Sequence, residues 1–242
     1  MKKNIEIKIK DYVVDAITNG ADEFDNVVIC FHGFNGDRWG GAYTNLRYRL
    51  KKSLVVSFDS CGHGESKVKS EDMRFSTILE EIDCVVKFFI QSCKGKRVYF
   101  VANSYGAYRI MWYLINFKIN VDGIILVNPA FRMLNILEDI RNFKYSNLGN
   151  DDKILMKNGT NKYLNKGFLD DLHSNNLYEK KYDIPNNIKL VVGSRDSLIP
   201  IKDTLEIAEK YNYEITYVDD EHSFENKENW QVVVDLIENK VI

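Results

Sequence analysis

Short apolar runs alternate with helical patterns along most of the chain, and this alternation limits the folds open to it. Strands that alternate with helices predict an α/β fold with a mainly parallel central sheet flanked by helices. The expected strands are Ile5–Lys10 and Tyr12–Thr18 as an antiparallel pair, then Asn26–Phe31, Leu54–Phe58, Arg97–Ala102, Ile124–Val127, Lys189–Gly193 and Glu214–Val218. The expected helices are about Tyr43–Lys51, Phe75–Ile90, Tyr105–Ile115, Asp203–Tyr211 and Asn229–Glu238.

A stretch from about residue 131 to residue 185 interrupts this rhythm, with no clear strand–helix unit. The chain has 242 residues, a length at which an α/β fold commonly forms one domain, here residues 1–242. A long connection inside such a domain is usually functional or disordered, so we interpret 131–185 as a small cap insertion. Its Asn158-Gly159 pair favours a tight hairpin turn. We expect some of its aromatic side chains to build an apolar pocket at the catalytic edge of the sheet.

Composition excludes several classes of partner. The formal net charge is −2 and no stretch forms a basic patch, so no nucleic acid partner is expected. No apolar run approaches the roughly 18 residues of a membrane span. The four cysteines lack metal-ligand spacing, and we interpret them as reduced thiols of a cytoplasmic protein. No oligomeric state is specified by the sequence.

Ser104 lies where a buried strand runs directly into a helix. The surrounding pattern is small-x-Ser-x-Gly, with Ala102 at the first small position and Gly106 at the last. This pattern is typical of a nucleophile elbow, in which small flanking residues let the strand and helix approach each other. A serine that merely caps a helix gives the same local sequence.

His32-Gly33-Phe34 follows another buried strand and is a candidate for the second half of an oxyanion hole. In an elbow mechanism, one donor is the N–H of the residue after the nucleophile, here Tyr105, and the other comes from such a loop. Gly33 would permit the backbone turn, and the Phe34 N–H would point at the oxyanion. An ordinary glycine-rich turn with a buried, hydrogen-bonded His32 remains open.

Asp196 follows the strand Lys189–Gly193, at the carboxyl edge where α/β sheets place their sites. His222 follows the strand Glu214–Val218. Taken alone, each residue could be an idle surface group. Together with Ser104, they give the chain order Ser…Asp…His of a catalytic triad built on this type of elbow.

The sequence contains four histidines, and three of them are poorly placed to act as a base. His32 and His63 precede the serine, and His173 lies in the expected cap. His222 is therefore the candidate base, and Asp196 is the acid that would orient it.

The chain resembles the α/β-hydrolase superfamily, and within it the small carboxylesterases of the cinnamoyl/feruloyl esterase and monoacylglycerol lipase type. The motifs that carry the resemblance are His32-Gly33-Phe34, Asp59-x-x-Gly62-His63-Gly64-x-Ser66, Ser104-x-Gly106, Asp196-x-x-Ile199-Pro200 and His222-x-Phe224. The Asp59–Ser66 loop is interpreted as structural, because its glycines and its flanking Asp and Ser suit a tight turn.

The resemblance implies a serine hydrolase that acts on a small-molecule ester or thioester, without a cofactor or a metal. An acyltransferase or acyl-thioesterase using the same triad stays open, because pocket shape and water access choose the acceptor. A catalytically silent binding scaffold is the third alternative.

Overall fold

Ten strands in two sheets are present in the described part of the protein, residues 2–156 and 162–239 of a computed structural model. Eight of them form the main sheet: β1 (Lys3–Ile9), β2 (Tyr12–Asn19), β3 (Asn26–Phe31), β4 (Ser53–Phe58), β5 (Arg97–Asn103), β6 (Gly123–Val127), β9 (Ile188–Gly193) and β10 (Glu214–Val218). The other two, β7 (Lys153–Leu155) and β8 (Tyr163–Asn165), pair antiparallel.

The main sheet has the strand order β1-β2-β4-β3-β5-β6-β9-β10. The pairs β1–β2 and β2–β4 are antiparallel, and all the other pairs are parallel. This arrangement confirms the prediction of an α/β fold with a mainly parallel sheet. Because parallel strands end at the same edge, the loops after β3, β5, β9 and β10 converge there.

Seven helices accompany the sheet in the described residues: α1 (Gly41–Leu46), α2 (Phe75–Ser92), α3 (Tyr105–Asn116), α4 (Met133–Arg141), α5 (Lys166–Ser174), α6 (Ile201–Tyr211) and α7 (Trp230–Glu238). Apolar side chains of α1 and α7 pack on one face of the sheet. Those of α2, α3 and α6 pack on the other. Both sides of the sheet are therefore covered, which explains why β3 is buried along its whole length.

The helix expected at Tyr43–Lys51 is shorter than predicted. It ends at Leu46, and the N–H groups of Arg49 and Leu50 both donate to the Leu46 carbonyl oxygen, which tightens the chain into a turn. The apolar residues Tyr43, Leu46 and Leu50 are all buried, so the helix-like spacing reflects burial that continues beyond the helix.

The segment 131–185 does contain regular structure, although its sequence shows no clear strand–helix unit. It holds α4, the β7–β8 pair and α5. Strands of three residues are too short to show an alternating pattern. The predicted Asn158-Gly159 turn lies among residues 157–161, outside the described residues.

In residues 2–156 and 162–239, no helix is both long enough and apolar enough to cross a membrane.

Candidate active site

Ser104 sits in the turn between β5 and α3 with a strained backbone. Its φ of 50° and ψ of −118° are unusual for a residue with a side chain, and such strain concentrates at functional sites. Gly106 permits the turn, because a Cβ there would lie 2.4 Å from the Phe31 carbonyl oxygen of the neighbouring strand. Ser104 therefore lies in a tight turn at the carboxyl edge of the sheet, as the elbow pattern predicts.

Ser104, His222 and Asp196 form a continuous chain of hydrogen bonds. The Ser104 hydroxyl donates to His222 Nε2 over 2.9 Å, and His222 Nδ1–H donates to Asp196 Oδ2 over 2.7 Å. A carboxylate can only accept, so the proton lies on Nδ1 and the Nε2 lone pair faces the serine. The structure therefore brings together all three residues predicted for the triad.

The Asp196 carboxylate is held from its other side by its own loop. Its Oδ1 accepts the N–H groups of Leu198 and Ile199, at 2.9 and 3.0 Å. The Asp196 side chain is only 4% exposed and that of His222 is 19% exposed, so their contact is largely shielded from water. Each carboxylate oxygen has its own donor, which fixes the orientation in which Oδ2 meets the imidazole.

The two residues predicted to donate to the oxyanion, Phe34 and Tyr105, are in contact through their side chains. The rings of Phe34 and Tyr105 meet edge to face, with centroids 5.4 Å apart. In the described part of the chain, neither backbone N–H has a hydrogen-bond acceptor. Tyr105 opens α3, and the first N–H groups of a helix have no partner within the helix. Unpaired N–H donors of this kind are what a developing oxyanion requires.

Gly33 serves a purpose different from the predicted one. The left-handed residue of this loop is Asn35, with a φ of 60°. A Cβ on Gly33 would lie 3.3 Å from the Ser104 Cβ, so the glycine lets the loop come close to the nucleophile. Gly33 does begin a turn, since the Gly36 N–H donates to its carbonyl oxygen at 3.1 Å, but its small size is needed for the close approach to Ser104.

His32 and His63 are buried and structural. His32 Nε2 accepts the Ser60 N–H at 3.2 Å, and its Nδ1–H donates to the Gly33 carbonyl oxygen at 2.8 Å. Burial holds the pKa of His32 well below its usual value, and it lowers the pKa of His63 to about 3. Both rings are therefore neutral at physiological pH, and His32 connects the loops after β3 and β4.

The Asp59–Ser66 loop is also held by side-chain hydrogen bonds, as its sequence suggests. Asp59 accepts the N–H groups of Arg38 and Glu65, at 2.7 and 2.9 Å. Its carboxylate also binds the Arg38 guanidinium, and both side chains are largely buried. Ser66 Oγ accepts the Val68 N–H at 3.2 Å.

A family profile described as "alpha/beta hydrolase fold" matches residues 26–190, more than half of the chain. The chain belongs to the α/β hydrolase fold family.

Similar proteins of known structure cover nearly the whole chain at low sequence identity. Est1E from Butyrivibrio proteoclasticus, solved with ferulic acid bound, has a TM-score of 0.82 and 18% identity over 98% of this chain and 99% of its own. A thioesterase domain from the curacin biosynthetic pathway has a TM-score of 0.63 and 14% identity over all of both chains. At such identities, the likeness concerns the fold.

A Bacillus subtilis (strain 168) relative, provisionally named 2-succinyl-6-hydroxy-2,4-cyclohexadiene-1-carboxylate synthase, is 27% identical over 111 residues. The match covers 42% of this chain and spans only 40% of the length of that relative.

Two buried polar residues of this α/β hydrolase were missed by the sequence analysis. Asp220 is 3% exposed and accepts the N–H groups of Glu221, Glu225 and Asn226, so it organises the loop that carries His222. Asn128, at the end of β6, is 2% exposed and contacts the loops of both Asp196 and His222. Their partners are mostly backbone groups, which leave no mark in a sequence.

A second buried polar cluster lies next to the loop that follows β3. Arg109 on α3 is 1% exposed and donates to the His32 carbonyl oxygen. Glu81 on α2 is fully buried and accepts the Cys61 N–H at 2.6 Å and the Tyr12 hydroxyl at 3.0 Å. Burial raises the pKa of Glu81 to about 7, although these hydrogen bonds and the Arg109 charge oppose the rise.

Replacing Glu81 by glutamine is expected to change how stability depends on pH. An unfolded glutamate titrates near 4.5, so the folded protein holds this proton more tightly and loses stability as pH rises from about 4.5 to 7. This difference in the pKa of Glu81 corresponds to roughly 3 kcal/mol of pH-dependent stability, which Glu81→Gln removes. The measurement is urea unfolding of both proteins at pH 5 and pH 8.

The comparison isolates Glu81 because the other titrating groups are common to both proteins. The destabilisation caused by Glu81→Gln should be larger at pH 5 than at pH 8. Glu80→Gln is the matched control, since Glu80 is exposed and pairs with Lys10 on the surface. An equal effect of Glu81→Gln at both pH values would contradict the raised pKa.

A cavity of about 410 Å³ lies between α3 and the segment 131–185. Ser104, Asp196 and His222 do not line it. Its link to the elbow is through Ala130, whose N–H donates to the Ser104 carbonyl oxygen at 3.1 Å and which precedes the lining residue Phe131. The lining consists of Tyr108, Phe131, Arg132, Met133, Leu134, Asn135, Glu138, Tyr145, Ser146, Leu172, His173, Asn175 and Asn176. Phe131, Met133 and Tyr145 give it part of the expected apolar lining, but its other lining residues make it more polar than predicted.

Proposed function

We propose that this α/β hydrolase is a serine hydrolase that cleaves a carboxylic ester or thioester through an acyl-enzyme on Ser104. The observation that carries the proposal is the hydrogen-bond chain from Ser104 through His222 to Asp196, at 2.9 and 2.7 Å. Its geometry fits a nucleophile, a base and an acid that orients the base.

In this mechanism, His222 Nε2 takes the hydroxyl proton as Ser104 Oγ attacks the acyl carbonyl carbon. The resulting imidazolium donates through Nδ1 to Asp196, whose negative charge stabilises it. His222 then returns the proton to the leaving alcohol or thiol. Water, activated by the same His222, hydrolyses the acyl-enzyme and restores Ser104.

The N–H groups of Phe34 and Tyr105 would bind the oxyanion that forms in each half of the reaction. Because neither has another acceptor among the described residues, they need not break a bond to do so. Each such donor contributes about 3–4 kcal/mol to stabilising the transition state in comparable sites.

The segment 131–185 would act as a cap over this site and contribute to substrate selection. It follows β6 at the catalytic edge, and its Phe131 and Met133 line the 410 Å³ cavity. The mixed lining supports a substrate group that carries hydrogen-bonding atoms in addition to apolar surface.

An acyl-thioesterase or acyltransferase is the alternative that uses the same residues. The likeness to a thioesterase domain over the whole chain supports the thioester. Transfer to an alcohol or amine differs only in the acceptor of the acyl group.

The test is a hydrolysis screen of the wild-type protein against nitrophenyl esters and acyl-CoA thioesters of increasing acyl length, with and without an added alcohol. Free acid as the product supports a hydrolase, and an ester of the added alcohol supports the transferase. If no acyl compound is cleaved and no fluorophosphonate reacts, the scaffold alternative stands instead.

The same series tests the cap. Phe131→Ala is expected to change the preference for acyl length, because Phe131 lines the cavity. Ile140→Ala is the matched control in the same segment, since Ile140 is 45% exposed. An unchanged length preference in Phe131→Ala would restrict the segment to a structural cover.

A further inference from the structure

Asn128 occupies a special backbone position at the end of β6. Its φ of 44° is left-handed, a conformation that Asn and Asp adopt more readily than other residues with side chains. Its N–H donates to the Val191 carbonyl oxygen at 2.9 Å, so the β6–β9 pairing fixes the backbone up to this residue. The Asn128 side chain therefore extends from a fixed backbone position next to β9, the strand that precedes Asp196.

The Asn128 amide uses both of its N–H groups and its oxygen. Nδ2 donates to the carbonyl oxygens of Glu221 and His222, each at 3.0 Å. Oδ1 accepts the Gly193 N–H at 2.7 Å. One buried side chain thus connects the loop after β9 with the loop after β10.

Both connections lead directly to the triad. The carbonyl oxygen of Gly193 accepts the Asp196 N–H at 3.1 Å, so Asn128 holds the turn from which Asp196 projects. On the other side, Asn128 binds the backbone of His222 itself. The two loops also lie close together here, because a Cβ on Gly193 would come within 2.6 Å of the Asp220 carbonyl oxygen.

We propose that Asn128 is a positioning residue that sets the distance between the Asp196 carboxylate and the His222 imidazole by holding the backbone of both loops. The inference rests on the proposed triad function. Only an amide fits the three contacts, because they need two donors and an acceptor. A carboxylate would instead place an anionic oxygen against two carbonyl oxygens.

The variant Asn128→Asp tests this role, since it keeps the size of the side chain and tolerates the left-handed backbone. We expect kcat to fall about tenfold to a hundredfold with KM within about twofold, because small misplacements of catalytic groups have effects of this size. The rate of Ser104 phosphonylation by a fluorophosphonate should fall in parallel. The control is Asn212→Asp, at an exposed left-handed asparagine with a φ of 58° outside the site.

A second readout does not depend on turnover. The His222 Nδ1 proton, held by Asp196, should give a low-field proton NMR signal that Asn128→Asp shifts or broadens while Asn212→Asp leaves it unchanged. An unchanged signal, or wild-type kcat and labelling in Asn128→Asp, would overturn the inference. The proposed function fails if the wild type neither cleaves acyl compounds nor reacts with fluorophosphonate. In that case, the positioning role is decided by whether Asn128→Asp changes the NMR signal of the His222 Nδ1 proton.

If Asn128→Asp does not fold, Asn128→Gly is the variant to measure. Glycine adopts the left-handed backbone conformation without strain and removes all three side-chain hydrogen bonds. A loss of kcat at unchanged KM in folded Asn128→Gly supports the role, and wild-type kcat overturns it.

Discussion

Ser104→Ala is expected to lower kcat for the best ester or thioester about 10⁶-fold, the scale measured when a triad serine is removed. Alanine leaves no nucleophile at the elbow, and His222 Nε2 then has no hydroxyl to deprotonate. The fold should persist, because the hydroxyl's one hydrogen bond goes to His222. The measurement is steady-state turnover together with fluorophosphonate labelling mapped by mass spectrometry.

Ser194→Ala is the matched control for this experiment. Ser194 is exposed and lies two residues before Asp196, so its hydroxyl is near the site without belonging to the hydrogen-bond chain. It should label and turn over like the wild type. Labelling that persists in Ser104→Ala would place the nucleophile elsewhere and refute the assignment.

Asp196→Asn is expected to reduce kcat by up to about 10⁴-fold while the protein stays folded. Two backbone donors, from Leu198 and Ile199, already face Oδ1, so an asparagine would keep its oxygen there and present its NH₂ group to His222. His222 would then have to accept at Nδ1 and carry its proton on Nε2. In that tautomer, the imidazole cannot take the Ser104 proton.

The control for this change is Asp219→Asn. Asp219 is 84% exposed and pairs with Arg195 on the surface, and it also lies on the acidic loop before His222. It should retain wild-type turnover. Near-normal activity in Asp196→Asn would show that another carboxylate orients the base.

The main elements of the fold could be predicted from the sequence because each buried strand of a parallel sheet is a compact apolar run. Asn26–Phe31, which is buried along its whole length, has the predicted bounds. The carboxyl-edge rule then selected Ser104, Asp196 and His222 as neighbours, and the structure places them in hydrogen-bond contact. Their catalytic roles stay a prediction.

The parts that could not be predicted depend on contacts between backbone and distant side chains. Asn128 binds groups 65 and 94 residues away, and no spacing rule connects such positions. Gly33 was expected to allow a turn, yet its smallness matters because Ser104 comes close to it, a fact of tertiary packing. The polar lining of the cavity likewise depends on which faces of α4 and α5 turn inward.

The position of β10 at the edge of the sheet affects which part of the protein unfolds early. Among the described residues, β10 pairs only with β9 and most of it is exposed. In contrast, β5 lies between two strands and is almost wholly buried. Local opening is easiest where a strand has one neighbour and little buried surface. His222, the proposed base, therefore follows an edge strand that opens easily, and Ser104, the proposed nucleophile, follows a strand that opens late. We therefore expect mild heat or denaturant to separate His222 from Ser104 while most of the secondary structure is still intact.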